Sequence, residues 1–250
     1  MLAIRHLDFS FQDNQSRPIF KQLNLDVPEG EFVSLVGKSG SGKSTLFKLI
    51  SQQYHADQGE ITFHGRPVTV SDLAYMPQKD LLLPWANILD NVCLSAKLGP
   101  RRSIPREQAM AWLAKAGLAD DAYALPSQLS GGMRQRAAFV RTILANRDIL
   151  LLDEPFGALD SFTQQEMQTW LLEIWQALKQ TVLMITHNLE EAVLLSNRVY
   201  VLQPFQDSME PQIQCFKINL PKDRQMDIRY HPDFIAYKHQ IEEAIYGKVK

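Results

Sequence analysis

Gly37-Lys38-Ser39-Gly40-Ser41-Gly42-Lys43-Ser44-Thr45 decides the reading of this chain. Gly37 to Ser44 fits GxxxxGK[ST] in full, and the flanks agree. Glu31 to Val36 is a short β-rich run of the buried-strand type, and Thr45 to Ser51 has helical character. Glycines let backbone N–H groups converge on phosphate oxygens without a Cβ in the way, and the following helix presents its N-terminus to the anion. Lys43 would contact the β- and γ-phosphates, and the Ser44 hydroxyl would ligate Mg²⁺.

Such a loop needs acidic and polar partners, and the chain supplies them. Asp148 to Leu152 reads as a buried strand ending on Asp153-Glu154. There one carboxylate can hold the Mg²⁺ shell while the next accepts a proton from the attacking water. Gln78 follows the run Leu73 to Met76, and His187 follows the strand Thr181 to Thr186. The carboxyl ends of parallel strands gather at one edge of a sheet, where ligands bind. Gly42-Lys43, Gln78, Asp153-Glu154 and His187 are therefore expected to converge. Ser130-Gly131-Gly132, at the head of a helix read to Leu144, forms either a second anion-binding helix start or an ordinary capped helix. Spacing alone does not separate the two.

Around these motifs strands and helices alternate. Strands are expected at Leu2 to Phe11, Phe20 to Val27, Ile61 to Phe63, Val68 to Val70 and Val199 to Leu202. A polar turn is expected from Gln12 to Pro18. Helical spacing runs from Asn87 to about Gly117 with Pro100 and Pro105 as breakers, then over Phe162 to Lys179, Leu189 to Ser196 and Phe234 to Tyr246. The expectation is an α/β phosphate-loop core with a mostly parallel sheet and an N-terminal antiparallel β portion. Residues 1–86 and 140–203 would make this core, 87–139 an inserted helical subdomain, and 204–250, with Pro204, Pro211, Pro221 and Pro232, a tail packed on it.

Composition bounds the class. The chain has 250 residues, 45% hydrophobic and 22% charged, with 26 basic against 28 acidic side chains and a formal charge of −2. That balance argues against general nucleic-acid affinity. Cys93 and Cys215 lack a CxxC partner and read as unpaired apolar residues in a reducing compartment. The N-terminus has no secretory h-region, and no window reaches the length of a membrane-spanning helix, so work at a membrane would go through a partner.

Taken in order, Phe11, Gly37 to Thr45, Gln78, Leu129 to Gln135, Ile149 to Glu154, Ala158-Leu159-Asp160 and His187 resemble the A-loop, Walker A, Q-loop, signature, Walker B, D-loop and H-loop of ATP-binding-cassette (ABC) transporter nucleotide-binding subunits. One match could arise by chance; seven in the family's order do not. The resemblance implies a cytoplasmic-face, peripheral ATPase using ATP and Mg²⁺. It also implies a head-to-tail dimer in which Ser130, Gly131 and Gly132 of one copy close on the ATP of the other. Gly37 to Thr45 would cradle the phosphates and Phe11 would stack on adenine. Ser44, Gln78 and Asp153 would hold the metal, and Glu154 would polarise water. His187 would sense the γ-phosphate, and Asp160 would communicate across the dimer. The implied partners are permease subunits and, indirectly, a solute-binding protein.

Leu83-Pro84-Trp85, Leu89 to Val92, Glu154 to Asp160 and Leu220 to Arg224 are similar to importers of the nitrate, sulfonate, taurine and thiamine-precursor group. Met133, Arg147 and Asn188 depart from common family choices (Gln, Pro and Asp) without removing a phosphate or metal ligand. The interval from Asn87 to Gly132 has neither sustained heptads nor cysteine clusters, which disfavours DNA-repair and chromosome relatives. A single cassette disfavours ribosome factors. A metabolite kinase would leave Leu129 to Gln135 and His187 unexplained.

Overall fold

The computed structural model describes residues 1–11, 18–98, 104–206, 212–221, 224 and 226–247. Of the turn expected from Gln12 to Pro18, residues 12–17 lie outside them and Pro18 opens a strand; Pro100, Pro211 and Lys222-Asp223 also lie outside. In chain order the elements are β1 (Leu2–Ser10), β2 (Pro18–Val27), β3 (Phe32–Val36), α1 (Lys43–Ile50), β4 (Gln58–Phe63), β5 (Arg66–Pro67) and β6 (Leu73–Met76). There follow α2 (Ile88–Leu98), α3 (Arg106–Lys115), α4 (Gly131–Leu144), β7 (Ile149–Asp153), α5 (Ser161–Leu178) and β8 (Thr181–Ile185). The last are α6 (Leu189–Leu195), β9 (Arg198–Leu202), β10 (Ile213–Lys217) and α7 (Pro232–Tyr246). The chain divides into two compact units, Met1–Val70 with Leu172–Lys250, and Ser71–Leu171.

In the first unit, β2-β1-β4-β5 form an antiparallel sheet, as the N-terminal alternation predicts. A second run is ordered β10-β9-β3-β8; β9, β3 and β8 are parallel and β10 is antiparallel to β9. Every residue of β3 and β8 is buried. That is why they read as nearly continuous apolar runs, the mark of strands covered on both faces. The polar exception in β3, Ser34, is fully buried and shares a 2.6 Å hydrogen bond with Ser196. Arg198 closes the start of β9 on Glu31 with hydrogen bonds of 2.6 and 3.2 Å.

Two expectations are corrected here. Val68 to Val70 is not a strand. His64 and Gly65 both have positive φ, 52° and 77°, and turn the chain so that Arg66–Pro67 pairs back on Thr62 and Phe63. Pro67 has no N–H to extend the ladder, and after one more bond from Val68 to Ile61 the chain enters a 3₁₀ turn at Val70–Asp72. The second correction is β10, which lies within what read as a tail. Ile213–Lys217 has no buried alternation to reveal it and is recruited by pairing along β9. The helix at the end of the chain is as expected, with Phe234, Ile241 and Ile245 buried.

In the second unit, β6 and β7 pair in parallel from Leu73↔Ile149 to Met76↔Leu152. The helices bury apolar faces such as Ile88, Leu89 and Val92 of α2, Leu113 of α3, and Phe139 and Val140 of α4. Trp170 lies 5.4 Å from the Phe139 ring. Fully buried Asn91 fixes the Leu83-Pro84-Trp85 turn: its amide donates to Leu83, Ala86 and Asn87 carbonyls and accepts from the Leu83 N–H. Trp85 is thereby held 76% exposed. No helix among the described residues is long and apolar enough to cross a membrane. Cys93 is buried, Cys215 is exposed, and neither is in a disulfide.

Candidate nucleotide site

In the first unit the phosphate loop joins β3 to α1, as predicted. Backbone geometry shapes it. Gly37, at φ 154°, passes so close to β9 that a Cβ would sit 2.2 Å from the Leu202 carbonyl oxygen. Gly42, at φ 100°, is the N-cap of α1, and a Cβ there would meet the Phe20 ring at 2.9 Å. Lys43 Nζ donates to the carbonyls of Gly37 at 2.8 Å and Lys38 at 3.0 Å, drawing the loop around its own amine. The Ser41 N–H donates to Lys38 O at 3.2 Å. The Ser41 hydroxyl is buried and finds no hydrogen-bond partner among the described residues, a polar atom that an anion in the loop would satisfy. Ser44 is exposed on the first turn of α1.

His187 leaves the end of β8 exposed, and the next turn is tied down. The Thr186 hydroxyl donates to Glu191 at 2.5 Å and accepts the Asn188 N–H at 3.0 Å. Asn188 Oδ1 accepts from the Glu190 and Glu191 N–H groups and so caps α6. Asn replaces the commoner Asp without loss of the cap. At the other end of α6, Arg224 donates to the carbonyls of Val193, Leu194 and Ser196 at 3.3, 2.8 and 2.7 Å. Burial pushes its guanidinium down to about 10. Phe11 sits half-exposed in an aromatic cluster, edge-on to Phe9 at 5.1 Å and to Tyr54 at 5.7 Å.

In the second unit Asp153 ends β7, buried, and the Tyr75 hydroxyl hydrogen-bonds to it. Burial first, and then the Asp153 charge, push the Tyr75 pKa up to about 12. Glu154 holds φ 48°, a left-handed conformation that costs a non-glycine residue about 1–3 kcal/mol and tends to persist where function requires it. Gln78 Nε2 donates to Glu154 Oε2 at 2.9 Å, so two of the expected site residues meet directly.

Ser130 is the N-cap of α4 and accepts the Met133 N–H at 3.2 Å, with Gly131 and Gly132 as the first helical residues. A Cβ on Gly132 would press on Leu159 at 3.2 Å, which brings the signature turn to the D-loop. Buried Gln135 donates to Pro155 O at 3.3 Å, so α4 also grips the turn after Glu154. Asp160 takes three hydrogen bonds at the start of α5: the Thr163 hydroxyl at 2.7 Å, and the Thr163 and Phe162 N–H groups at 3.1 Å each. The Thr163 hydroxyl bond first, and then the amides, hold its carboxyl below the usual range.

Sequence reasoning missed Tyr75 as the partner of Asp153, and it missed Asp80. That carboxylate pairs with Arg134 at 3.0 Å, while Arg141 donates to the Asp80 and Leu81 carbonyls at 2.6 and 2.8 Å. An aromatic at the third residue of an apolar strand, or a charge one turn into a helix, gives no such signal by itself. Among the described residues no cluster of three or more His, Cys, Asp or Glu side chains forms a metal site.

A glycine-built loop between a buried parallel strand and a helix, with one lysine folded over it, defines a phosphate-loop nucleotide-binding protein. Residues 20–157 match the family model described as ABC transporter. The chain is 43% identical over 209 residues to the formylaminopyrimidine import ATP-binding protein ThiZ of Halalkalibacterium halodurans, covering 82% of each. It is 39% identical over 237 residues to the nitrate import ATP-binding protein NrtD of Synechocystis sp., covering 91% of this chain and 88% of that one. Its structure resembles the dimeric post-hydrolysis state of the ATP-binding cassette MJ0796 bound to ADP and Pi. The TM-score is 0.77 at 27% identity, over 88% of this chain and 100% of the other. The chain belongs to the ABC transporter family, as one of its ATPase subunits.

Proposed function

We propose that this subunit hydrolyses ATP at a site completed by a second copy and thereby energises solute import through a transmembrane permease. The observation that carries the reading is the Gln78–Glu154 hydrogen bond. It orients a carboxylate held in a left-handed backbone conformation, as a water-activating base requires. It also joins that base to the segment that carries exposed Leu81 and Trp85.

Lys43 and the amides of Gly37 to Thr45 hold the β- and γ-phosphates and stabilise charge as the terminal phosphoryl group leaves. Phe11 offers an aromatic face to adenine. Glu154 takes a proton from the attacking water, and His187 contacts the γ-phosphate. Ser130, with Gly131 and Gly132, closes on the nucleotide of the other copy, and Asp160 carries the signal between copies. The Ser44 hydroxyl, Gln78 amide oxygen and Asp153 carboxylate are each oxygen donors, the kind a hard cation such as Mg²⁺ takes, and would hold it. When bound, Mg²⁺ supplies charge neutralisation at the phosphates.

Residues 1–86 and 140–203 serve as the cassette core, 87–139 as its helical subdomain and 204–250 as a packed extension. The subunit works peripherally on the cytoplasmic face of the membrane, with permease subunits and, through them, a solute-binding protein. The names of its relatives and the Leu83-Pro84-Trp85 segment support a small solute such as a sulfonate, nitrate or thiamine precursor.

Glu154→Gln tests the reading. Turnover is expected to fall by about 10²–10⁴, the range of a positioned general base, while ATP still binds and dimers accumulate. Near-normal turnover would remove Glu154 as the base.

A further inference from the structure

The C-terminal helix α7 touches two elements of the proposed ATP site, and neither contact is needed to explain how α7 packs. Its buried face, Phe234, Ile241 and Ile245, accounts for packing. On its exposed side Lys238 Nζ donates to Glu190 Oε1 at 2.7 Å. Glu190 lies in the first turn of α6, three residues after His187, and its own N–H is held by Asn188. Lys238 holds the Glu190 carboxyl below its usual range, chiefly through this hydrogen bond.

One end of α7 reaches the phosphate loop. Tyr246, 65% exposed, presents its ring to Lys38 Nζ at 5.6 Å from the ring centre. Lys38 is the loop residue whose carbonyl accepts both Lys43 Nζ and the Ser41 N–H. Just before it, Gly37 lies against the Leu202 carbonyl at the end of β9. The next residue, Gln203, donates to Ala244 O in the last turn of α7. The loop is thus braced twice against one stretch of structure, by its backbone on β9 and by its Lys38 side chain on α7.

We propose that α7 is a strut for ATP hydrolysis, with Tyr246 and Lys238 as positioning residues: Tyr246 holds Lys38 so that the phosphate loop is preorganised, and Lys238 holds the turn that carries His187. The inference rests on the reading that the loop and His187 serve ATP. A preorganised loop gives up less freedom on binding, so loss of the Tyr246 ring weakens ATP binding. Loss of Lys238 loosens a group that contacts the phosphoryl undergoing transfer, so it lowers turnover instead.

The test is steady-state ATPase kinetics on the full chain, with melting temperature as the control for folding. Tyr246→Ala is expected to raise KM for ATP about two- to five-fold, the range of an exposed cation–π contact, with kcat and melting temperature unchanged. Tyr246→Phe keeps the ring and restores KM. Lys238→Met is expected to lower kcat about two-fold without moving KM, as an exposed ion pair allows, and Lys238→Arg restores it. An unchanged KM in Tyr246→Ala, or an equal rise in Tyr246→Phe, overturns the role of the ring. A Lys238→Met variant that shifts KM, or shifts neither constant, overturns the strut. Lys43→Ala keeps the two readings apart: if its ATP affinity is unchanged, the reading of the loop fails, and if its affinity is weakened, the Tyr246 and Lys238 results judge the strut alone.

Discussion

The two compact units hold their candidate site residues by different means. In the first, the phosphate loop is held by backbone: three glycines at positive φ, a close approach to Leu202, and Lys43 bonded to carbonyls of its own loop. In the second, the candidate residues are held by side chains: Gln78 on Glu154, Tyr75 on Asp153, Gln135 on Pro155 and Asp160 on Thr163. An anion grip works through N–H groups, so it needs backbone convergence, and side chains would obstruct it. A water-activating site needs one carboxylate aimed in one direction, and side-chain hydrogen bonds aim it.

The contrast can be broken by substitution. The largest effect is expected at Gly37→Ala, where the new methyl meets the Leu202 oxygen 2.2 Å away in a strained conformation. A loss of about 3 kcal/mol of stability or more should appear in denaturant unfolding, because carbonyl and loop must both move. If the variant is as stable as the parent, backbone does not shape the loop. Lys43→Ala ranks next. Losing a charge-assisted contact should weaken nucleotide affinity by about 1.5–3 kcal/mol, read by calorimetric titration, with little change in unfolding.

The smallest effect is expected in the second unit. Tyr75→Phe removes one hydrogen bond, worth about 0.5–1.5 kcal/mol. Its pH dependence has a definite sign. The folded protein favours neutral Tyr75, raising its pKa from 10.0 to about 12, so the unfolded chain loses this proton first. The contribution of Tyr75 is whole below pH 10 and is lost as pH rises towards about 12. Unfolding curves across that interval should slope less steeply in Tyr75→Phe than in the parent. Equal slopes would mean that the fold does not raise the Tyr75 pKa.

Much of this was legible in the sequence, for reasons that differ by residue. The phosphate loop declares itself because its conformation demands glycine at fixed offsets from one lysine. The strands β3, β7 and β8 declare themselves because burial on both faces makes them continuously apolar. β10 did not, since pairing with β9 recruits a segment with no apolar alternation. Val68 to Val70 misled because β-branched residues beside a hairpin look like a strand, while Pro67 ends the ladder. The places of Gln78, Asp153, Glu154 and His187 at or just past strand ends were legible, and their roles there are the proposal. Their partners were not: Tyr75–Asp153 and Asp80–Arg134 are contacts over distances along the chain that no local pattern encodes. Asn188 shows the converse, a departure from the common residue that the structure explains by an equivalent helix cap.

The central claim is that this chain carries half of an ATPase site and that a second copy supplies the other half. The most direct measurement is the basal ATP hydrolysis rate of the purified chain as a function of its own concentration, with the association state followed in parallel. The expected rate rises more steeply than linearly as dimers form. A strictly linear rate from a proven monomer would contradict it.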